Sequence, residues 1–387
     1  MGCAFDFDKI VNRRHTGSLK WDHYDDADAI CMWLADMDFQ APAQVIAALH
    51  RQVDHGIFGY PKPTAHLTET IVETLKTRYD WSIEPSWLVW LPSLVSGLNL
   101  ACRAVGGADD EVVTFTPIYP PFLSAPALAG RKLLTVPLAH QDGRWFFDLE
   151  KLQQSITDRT QLLLVCSPHN PVGRSYSREE LHSLAEFCLE KNLFICSDEI
   201  HCDLILDHKR HVPIATLSAK IAERTITLMS PAKTYNLAGL GCGFAVISNE
   251  KLRRNFIHMH RGIVPEPNVM GYTACLAAYR CGEPWRQALL EYLRANRDLV
   301  YHTINREIPP LSMDQVEATY LAWINTQELD TSCPSEFFRK AGVILHDGRH
   351  FGAPGYLRLN FACPRMLLSE ALQRMKQAVL ASTAHRA

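Results

Sequence analysis

Ser230-Pro231-Ala232-Lys233-Thr234-Tyr235-Asn236, continued by Leu237-Ala238-Gly239-Leu240-Gly241-Cys242-Gly243, lies between two apolar runs. These are Arg224-Thr225-Ile226-Thr227-Leu228-Met229 and Gly243-Phe244-Ala245-Val246-Ile247. Both are rich in β-branched and large apolar residues and read as short buried strands. A lysine between them is unusual, because a buried ammonium is costly and tends to lose its proton. A readily deprotonated lysine is what Schiff-base chemistry requires. Taken alone, Lys233 reads equally as a surface loop lysine, the commonest setting for that residue. The rest of the chain has to decide.

Upstream, Leu193-Phe194-Ile195-Cys196-Ser197 reads as a strand ending at Asp198-Glu199-Ile200-His201. Thr160 to Cys166 reads as another, ending at Ser167-Pro168-His169-Asn170-Pro171-Val172-Gly173. A helix opens between them, where Ser177 and Glu180 have capping-box spacing. Further strands are expected at 87–91, 111–115 and 132–136. Helices are expected at 44–53, with Pro42 in its first turn, at 65–79, and at 98–105 after a turn over 92–97. Thr116 to Phe122 and Phe58-Gly59-Tyr60-Pro61 read as Pro-rich and Gly/Pro-punctuated loops.

The strands are continuously apolar rather than alternating, which points to a mostly parallel sheet covered on both faces. The fold class is therefore α/β, with a doubly wound sheet whose ligands lie at the carboxyl ends of its strands. Tyr119, Asn170, Asp198 and Lys233 all fall just past such strand ends. Beyond about residue 275 the pattern changes to a long helix over 285–307, short strands at 318–324 and 343–345, and a final helix over 369–380. The division expected is a large domain over 46–275 and a smaller α+β domain from 1–45 and 276–387.

The chain has 387 residues, enough for two domains. Its composition is 47% hydrophobic and 21% charged. A formal net charge of −3 gives no electrostatic case for binding nucleic acid or an anionic membrane. No apolar run is long enough to span a bilayer. The start, Met1-Gly2-Cys3-Ala4-Phe5-Asp6, lacks a signal-peptide layout, and Asp6 argues against myristoylation of Gly2. The twelve cysteines include no Cys-x-x-Cys pair, so reduced, mostly buried thiols in a cytoplasmic protein are expected.

Four further stretches extend the pattern: Ala35-Asp36-Met37-Asp38-Phe39, Tyr119-Pro120-Pro121-Phe122, Ser197-Asp198-Glu199-Ile200-His201, and Leu357-Arg358-Leu359-Asn360-Phe361-Ala362-Cys363-Pro364-Arg365. With the Lys233 segment, and in this order, they resemble the fold-type I pyridoxal-5′-phosphate (PLP) enzymes of the class I/II aminotransferase superfamily. Within it they look like the cystathionine β-lyase branch of carbon–sulfur lyases. The resemblance runs from Trp33 to Pro364.

It implies that Lys233 forms the covalent Schiff-base link to PLP and removes the substrate Cα proton. Asp198 would pair with the protonated pyridine nitrogen, making the ring an electron sink. Asn170 would hydrogen-bond the phenolic oxygen, although Asn-Pro is also a strong turn former. His201 stands where many aminotransferases carry a tyrosine that reaches the same oxygen; a packed structural histidine is the rival reading. Tyr119 would stack on the pyridine face, and it or Lys233 could protonate the leaving group. The amides of Leu94 and Val95, opening a helix, and the Ser230 hydroxyl would hold the phosphate. Tyr60 would reach that phosphate from the neighbouring subunit of a homodimer. Many aminotransferases have an arginine eight residues after the lysine; here that position is Gly241. Arg358 would grip the substrate α-carboxylate, with Ala35 and Asp36 in the segment that closes over it.

The activity this resemblance implies is β-elimination from cystathionine, cystine or a cysteine S-conjugate, giving pyruvate, ammonia and a thiol. An aminotransferase uses the same residues and stays open, as does a non-catalytic regulatory protein that keeps the fold. Gly239-x-Gly241-x-Gly243 is no dinucleotide fingerprint, for no helix with an acidic residue about 20 positions on follows it. His346 and His350 have helical spacing, but Asp347-Gly348 between them reads as a turn, so no metal site is expected.

Overall fold

The structure is a computed structural model that describes residues 5–207 and 209–384; Gly2 lies outside the described residues. Its centre is a seven-stranded sheet. In chain order the strands are β1 (Leu88–Leu91), β2 (Glu111–Thr116), β3 (Lys132–Pro137), β4 (Thr160–Cys166), β5 (Phe194–Asp198), β6 (Thr225–Met229) and β7 (Gly243–Val246). Across the sheet they run β1-β7-β6-β5-β4-β2-β3. Only β7 is antiparallel to its neighbours, pairing with β1 and β6. The sheet is thus mostly parallel, as the apolar runs require.

Alternate residues of each strand go to opposite faces. Leu162 and Leu164 join a core under helix α3 (Leu94–Ala104), whereas Leu163 and Val165 join one under helix α5 (Arg178–Glu190). Each fully buried leucine contributes about 1.5–3 kcal/mol relative to exposure. Helix α5 begins with the expected capping box, Ser177 and Glu180 each closing on the other's backbone amide. The remaining helices named here are α1 (Ala43–His55), α2 (Ala65–Tyr79), α4 (Pro120–Leu128), α6 (Val269–Cys281), α7 (Glu283–Glu307) and α8 (Arg365–Ala384).

A second, four-stranded antiparallel sheet is built from β8 (Ser312–Met313), β9 (Leu321–Asn325), β10 (His346–Asp347) and β11 (Tyr356–Asn360), in the order β8-β9-β11-β10. The early segment Ile30–Cys31 pairs in parallel with Val343–Ile344, joining both ends of the chain. No helix among the described residues is long and apolar enough to cross a membrane.

Several local expectations are corrected. Helix α3 starts at Leu94 rather than Leu98, because the Ser93 hydroxyl accepts from the Ser96 amide and caps it early. Gly97 then lies inside the helix, where a Cβ would come within 2.9 Å of Leu228. The supposed loop over 116–122 gives way at Pro120 to α4, whose two leading prolines occupy positions that need no amide donor. Pro42 is the N-cap of α1 and not part of its first turn. The strand expected from Ala318 begins at Leu321, since Thr319 takes a left-handed backbone (φ 74°) that no strand accommodates. Helix α6 carried no clear periodic signal in the sequence.

Gly271, in the first turn of α6, lies against the turn after Lys233: a Cβ there would meet the Leu240 carbonyl oxygen at 2.6 Å and that of Gly241 at 2.9 Å. Gly→Ala in an exposed helix usually stabilises by about 1 kcal/mol. Here Gly271→Ala is expected to destabilise by about 1–3 kcal/mol in urea denaturation, because the added methyl overpacks backbone that cannot yield.

Candidate active site

The carboxyl ends of the parallel strands meet at one point. Cys166 of β4 pairs with Asp198 of β5, and Asp198 with Leu228 of β6, so the segments after each strand emerge side by side. Strand β7, running the other way, brings Gly243 opposite Leu91 and so delivers Gly241 and Cys242 to the same edge. The result is a cavity of about 240 Å³. Its walls include Ala35, Leu94, Val95, Tyr119, Asn170, Asp198, His201, Ser230, Lys233 and Arg358. Ala35 and Arg358, 323 positions apart in sequence, are thereby brought to one place.

Lys233 donates from Nζ to the carbonyl oxygen of Ala35 at 2.6 Å. Burial, reinforced by the charge of Arg358, lowers its ammonium to about 8. Asp198 accepts one backbone hydrogen bond, from the Ile200 amide at 3.1 Å. Burial raises its carboxyl to about 7. Arg358 is buried and lies over the Phe351 ring, 4.7 Å from its centroid. It donates to Asn170 Oδ1 (3.0 Å), the Trp33 carbonyl oxygen (2.8 Å) and His346 Nδ1 (3.2 Å). All three acceptors are neutral, and Arg358 Nε has no partner among the described residues. A buried guanidinium without a carboxylate is expensive unless an anion arrives from outside.

The Asn170 amide oxygen is taken by Arg358, so its NH₂ end is the part left for a ligand. His201 is buried with Nδ1 unpartnered, and burial keeps its imidazole well below the usual range. Burial raises the Tyr119 hydroxyl, which keeps it protonated. The Leu94 and Val95 amides, at the start of α3, meet no protein acceptor among the described residues. The Ser230 hydroxyl donates to the Cys242 carbonyl at 2.7 Å and must turn away from it to serve a ligand. Gly241 cannot be the arginine of other aminotransferases: its φ is +62°, and a Cβ would lie 3.2 Å from the Pro92 carbonyl oxygen.

Two expected residues are not on the cavity wall. The Asp36 side chain pairs with Arg13, which also pairs with Asp38, and it is not among the residues lining the cavity. Tyr60 is fully exposed on its loop, away from this chain's cavity. Residues not singled out as site residues also line it, among them Cys166, Ile200, Cys242 and His346. In the sequence His346 stands out only for its spacing from His350; its approach to Arg358 comes from the β10–β11 pairing, in which the two residues are directly opposite. No spacing rule in the sequence reveals that pairing.

The folded Asp198 carboxyl titrates at about 7, against 3.8 for the ordinary group, so the folded state holds its proton more tightly. Between those two values the unfolded chain loses the proton first, and the ligand-free protein loses stability as pH rises. Ligand-free Asp198→Asn is therefore expected to melt above its parent at pH 8. Thermal scans should show the gap closing as pH falls through about 7 towards 4.

The family described as aminotransferase class I and II matches residues 31–375. Cystathionine beta-lyase PatB of Bacillus subtilis (strain 168) is 35% identical over 384 residues, covering 96% of this chain and 99% of that one. The crystal structure of OvoB superposes with a TM-score of 0.95 at 46% identity, over 97% of this chain and 99% of that one. Cystalysin from Treponema denticola, solved with pyridoxal 5′-phosphate, superposes with a TM-score of 0.94 at 30% identity, over 97% and 99%. The chain belongs to the class I and II aminotransferase family.

Proposed function

We propose that this protein is a PLP-dependent carbon–sulfur β-lyase that cleaves cystathionine, cystine or a related cysteine S-conjugate to pyruvate, ammonia and a thiol. The observation that carries the reading is the cavity's set of buried charges: Lys233, Asp198 and Arg358, each short of a charged partner in contact. Full-length likeness to a cystathionine beta-lyase and to cystalysin supports elimination over transamination.

The donor set suits PLP. Asp198, raised to about 7 by burial, matches a protonated pyridine nitrogen. The free amides of Leu94 and Val95 at the helix N-terminus suit a phosphate, with no arginine at Gly241 needed to approach it. The Asn170 NH₂ and the unpartnered His201 suit a phenolic oxygen, Tyr119 the ring face, and Lys233 the aldehyde carbon.

Bound PLP supplies an electron sink for the pair left on Cα when its proton departs. Lys233, with its ammonium lowered to about 8, gives up its proton far more readily than an ordinary lysine, and as the neutral amine it takes the Cα proton. Arg358 grips the α-carboxylate and fixes which Cα substituent faces Lys233. As the Cβ–S bond breaks, the departing thiolate, whose conjugate acid has a pKa near ~8.5, is a competent leaving group. Either the Lys233 ammonium or the protonated Tyr119 hydroxyl returns a proton to sulfur. The three-carbon remainder then hydrolyses to pyruvate and ammonia.

A homodimer and a cytoplasmic location belong to the same reading. Tyr60 sits beside exposed Ile57 and Phe58, an apolar loop suited to burial against a second copy, whose phosphate site Tyr60 would reach. The described cysteines are free thiols, as a reducing compartment allows. We read the chain as a large part, 46–275, and a smaller one, 1–45 with 276–387; on that reading Asp198 and Lys233 reach the cavity from the first and Ala35 and Arg358 from the second.

Given L-cystathionine without any keto acid, the holoenzyme is expected to release pyruvate and thiol in equal amounts. Strict dependence on a keto-acid acceptor would replace the lyase reading with transamination. Lys233→Ala is expected to lose the borohydride-sensitive visible band together with turnover, and Arg358→Lys to raise KM by about tenfold or more through loss of the planar fork.

A further inference from the structure

The charge on Arg358 is set up by its neighbours as much as by its burial. Its Nη1 bonds to Asn170 Oδ1, and its Nη2 to the Trp33 carbonyl oxygen and to His346 Nδ1. A guanidinium has donors only, so His346 Nδ1 must be the acceptor and the proton of a neutral ring must sit on Nε2. Strand pairing fixes the approach, since His346 of β10 is directly opposite Arg358 of β11. The imidazole is wedged between aromatic rings: Trp33 at 5.8 Å, His350 at 5.3 Å and Phe351 at 4.8 Å, each edge to face. Phe351 also carries the guanidinium on its own face. His346 lines the cavity alongside Arg358.

We propose that His346 is a positioning residue for substrate: a neutral acceptor that orients the Arg358 fork without cancelling its charge. This rests on Arg358 being the carboxylate grip. Its logic is electrostatic. A carboxylate at position 346 would hold the fork equally well, but it would neutralise it and compete with the substrate's own carboxylate. An apolar residue would leave a buried guanidinium N–H unsatisfied and free to swing. Imidazole supplies the hydrogen bond without the charge. Burial, with Arg358 and His350 close by, holds the ring at about 3, so it stays neutral throughout the working range.

The test separates geometry from charge. Holoenzyme is titrated calorimetrically with 3-(methylthio)propionate, a carboxylate that lacks the amino group and cannot react. In parallel, KM and kcat are measured with L-cystathionine. His346→Ala is expected to weaken carboxylate binding and raise KM by about tenfold, with kcat within about threefold, as loss of one hydrogen bond to a charged group requires. His346→Asn, which offers Oδ1 in place of Nδ1, should restore affinity to within about threefold. His346→Asp, though still an acceptor, should bind the carboxylate at least about tenfold more weakly than His346→Asn. If Arg358→Ala leaves carboxylate affinity unchanged, the grip itself is misassigned and the proposal falls with it. If Arg358→Ala abolishes binding while all three His346 variants match the parent, only the positioning role is overturned. Equal weakening in His346→Asn and His346→Ala would also overturn it, by reducing the contact to packing.

Discussion

Everything in this structure is arranged around buried charges that the protein does not neutralise itself. Lys233, Asp198 and Arg358 face one cavity, and burial pushes each towards its neutral form. Isolated charges in a protein interior are tolerated only where function demands them, since pairing or removing them would be the more stable solution. Here the stabilising partners are external: a cationic ring nitrogen for Asp198, an electrophilic carbon for Lys233, an anionic carboxylate for Arg358. Binding and stability are therefore coupled through the same atoms.

Holding such groups apart requires a rigid frame, and the parallel sheet provides it. Asp198 sits at the end of β5, flanked by strands in fixed register. One residue on, Glu199 is fully buried. It accepts from the Ser197 hydroxyl and the Ile214 amide and pairs with His211 at 2.7 Å, which anchors the turn that also carries His201. Gly241 and Gly271 let the turn after Lys233 pack where any side chain would intrude.

The N-terminal segment closes the site from the opposite side and is tied down by long-range bonds. Asn360 donates to the carbonyls of Leu34 and Asp36, and Asn236 to those of Met37 and Phe39. Tyr320 shares the Ala35 carbonyl with Lys233. Arg13 and Lys20 brace Asp36 and Asp38. Asp36 ties the segment down through its carbonyl and its pairing with Arg13, and the segment lines the cavity at Leu34 and Ala35.

The local content of the chain was legible because it rests on short-range physics. Continuous apolar runs announced the parallel strands, Ser177 and Glu180 the start of α5, and the chemistry-bearing residues after strand ends the place where a ligand lies. Elements without periodicity, such as α6, and a start displaced by a single cap, as at Ser93, were not legible. What only the tertiary structure decided are pairings across long stretches of chain: Ile30–Cys31 with Val343–Ile344, Arg13 with Asp36, the Ser230 hydroxyl with the Cys242 carbonyl, and His346 against Arg358. No local pattern encodes these, because each depends on where packing brings two distant backbones together and on which donor is then nearest.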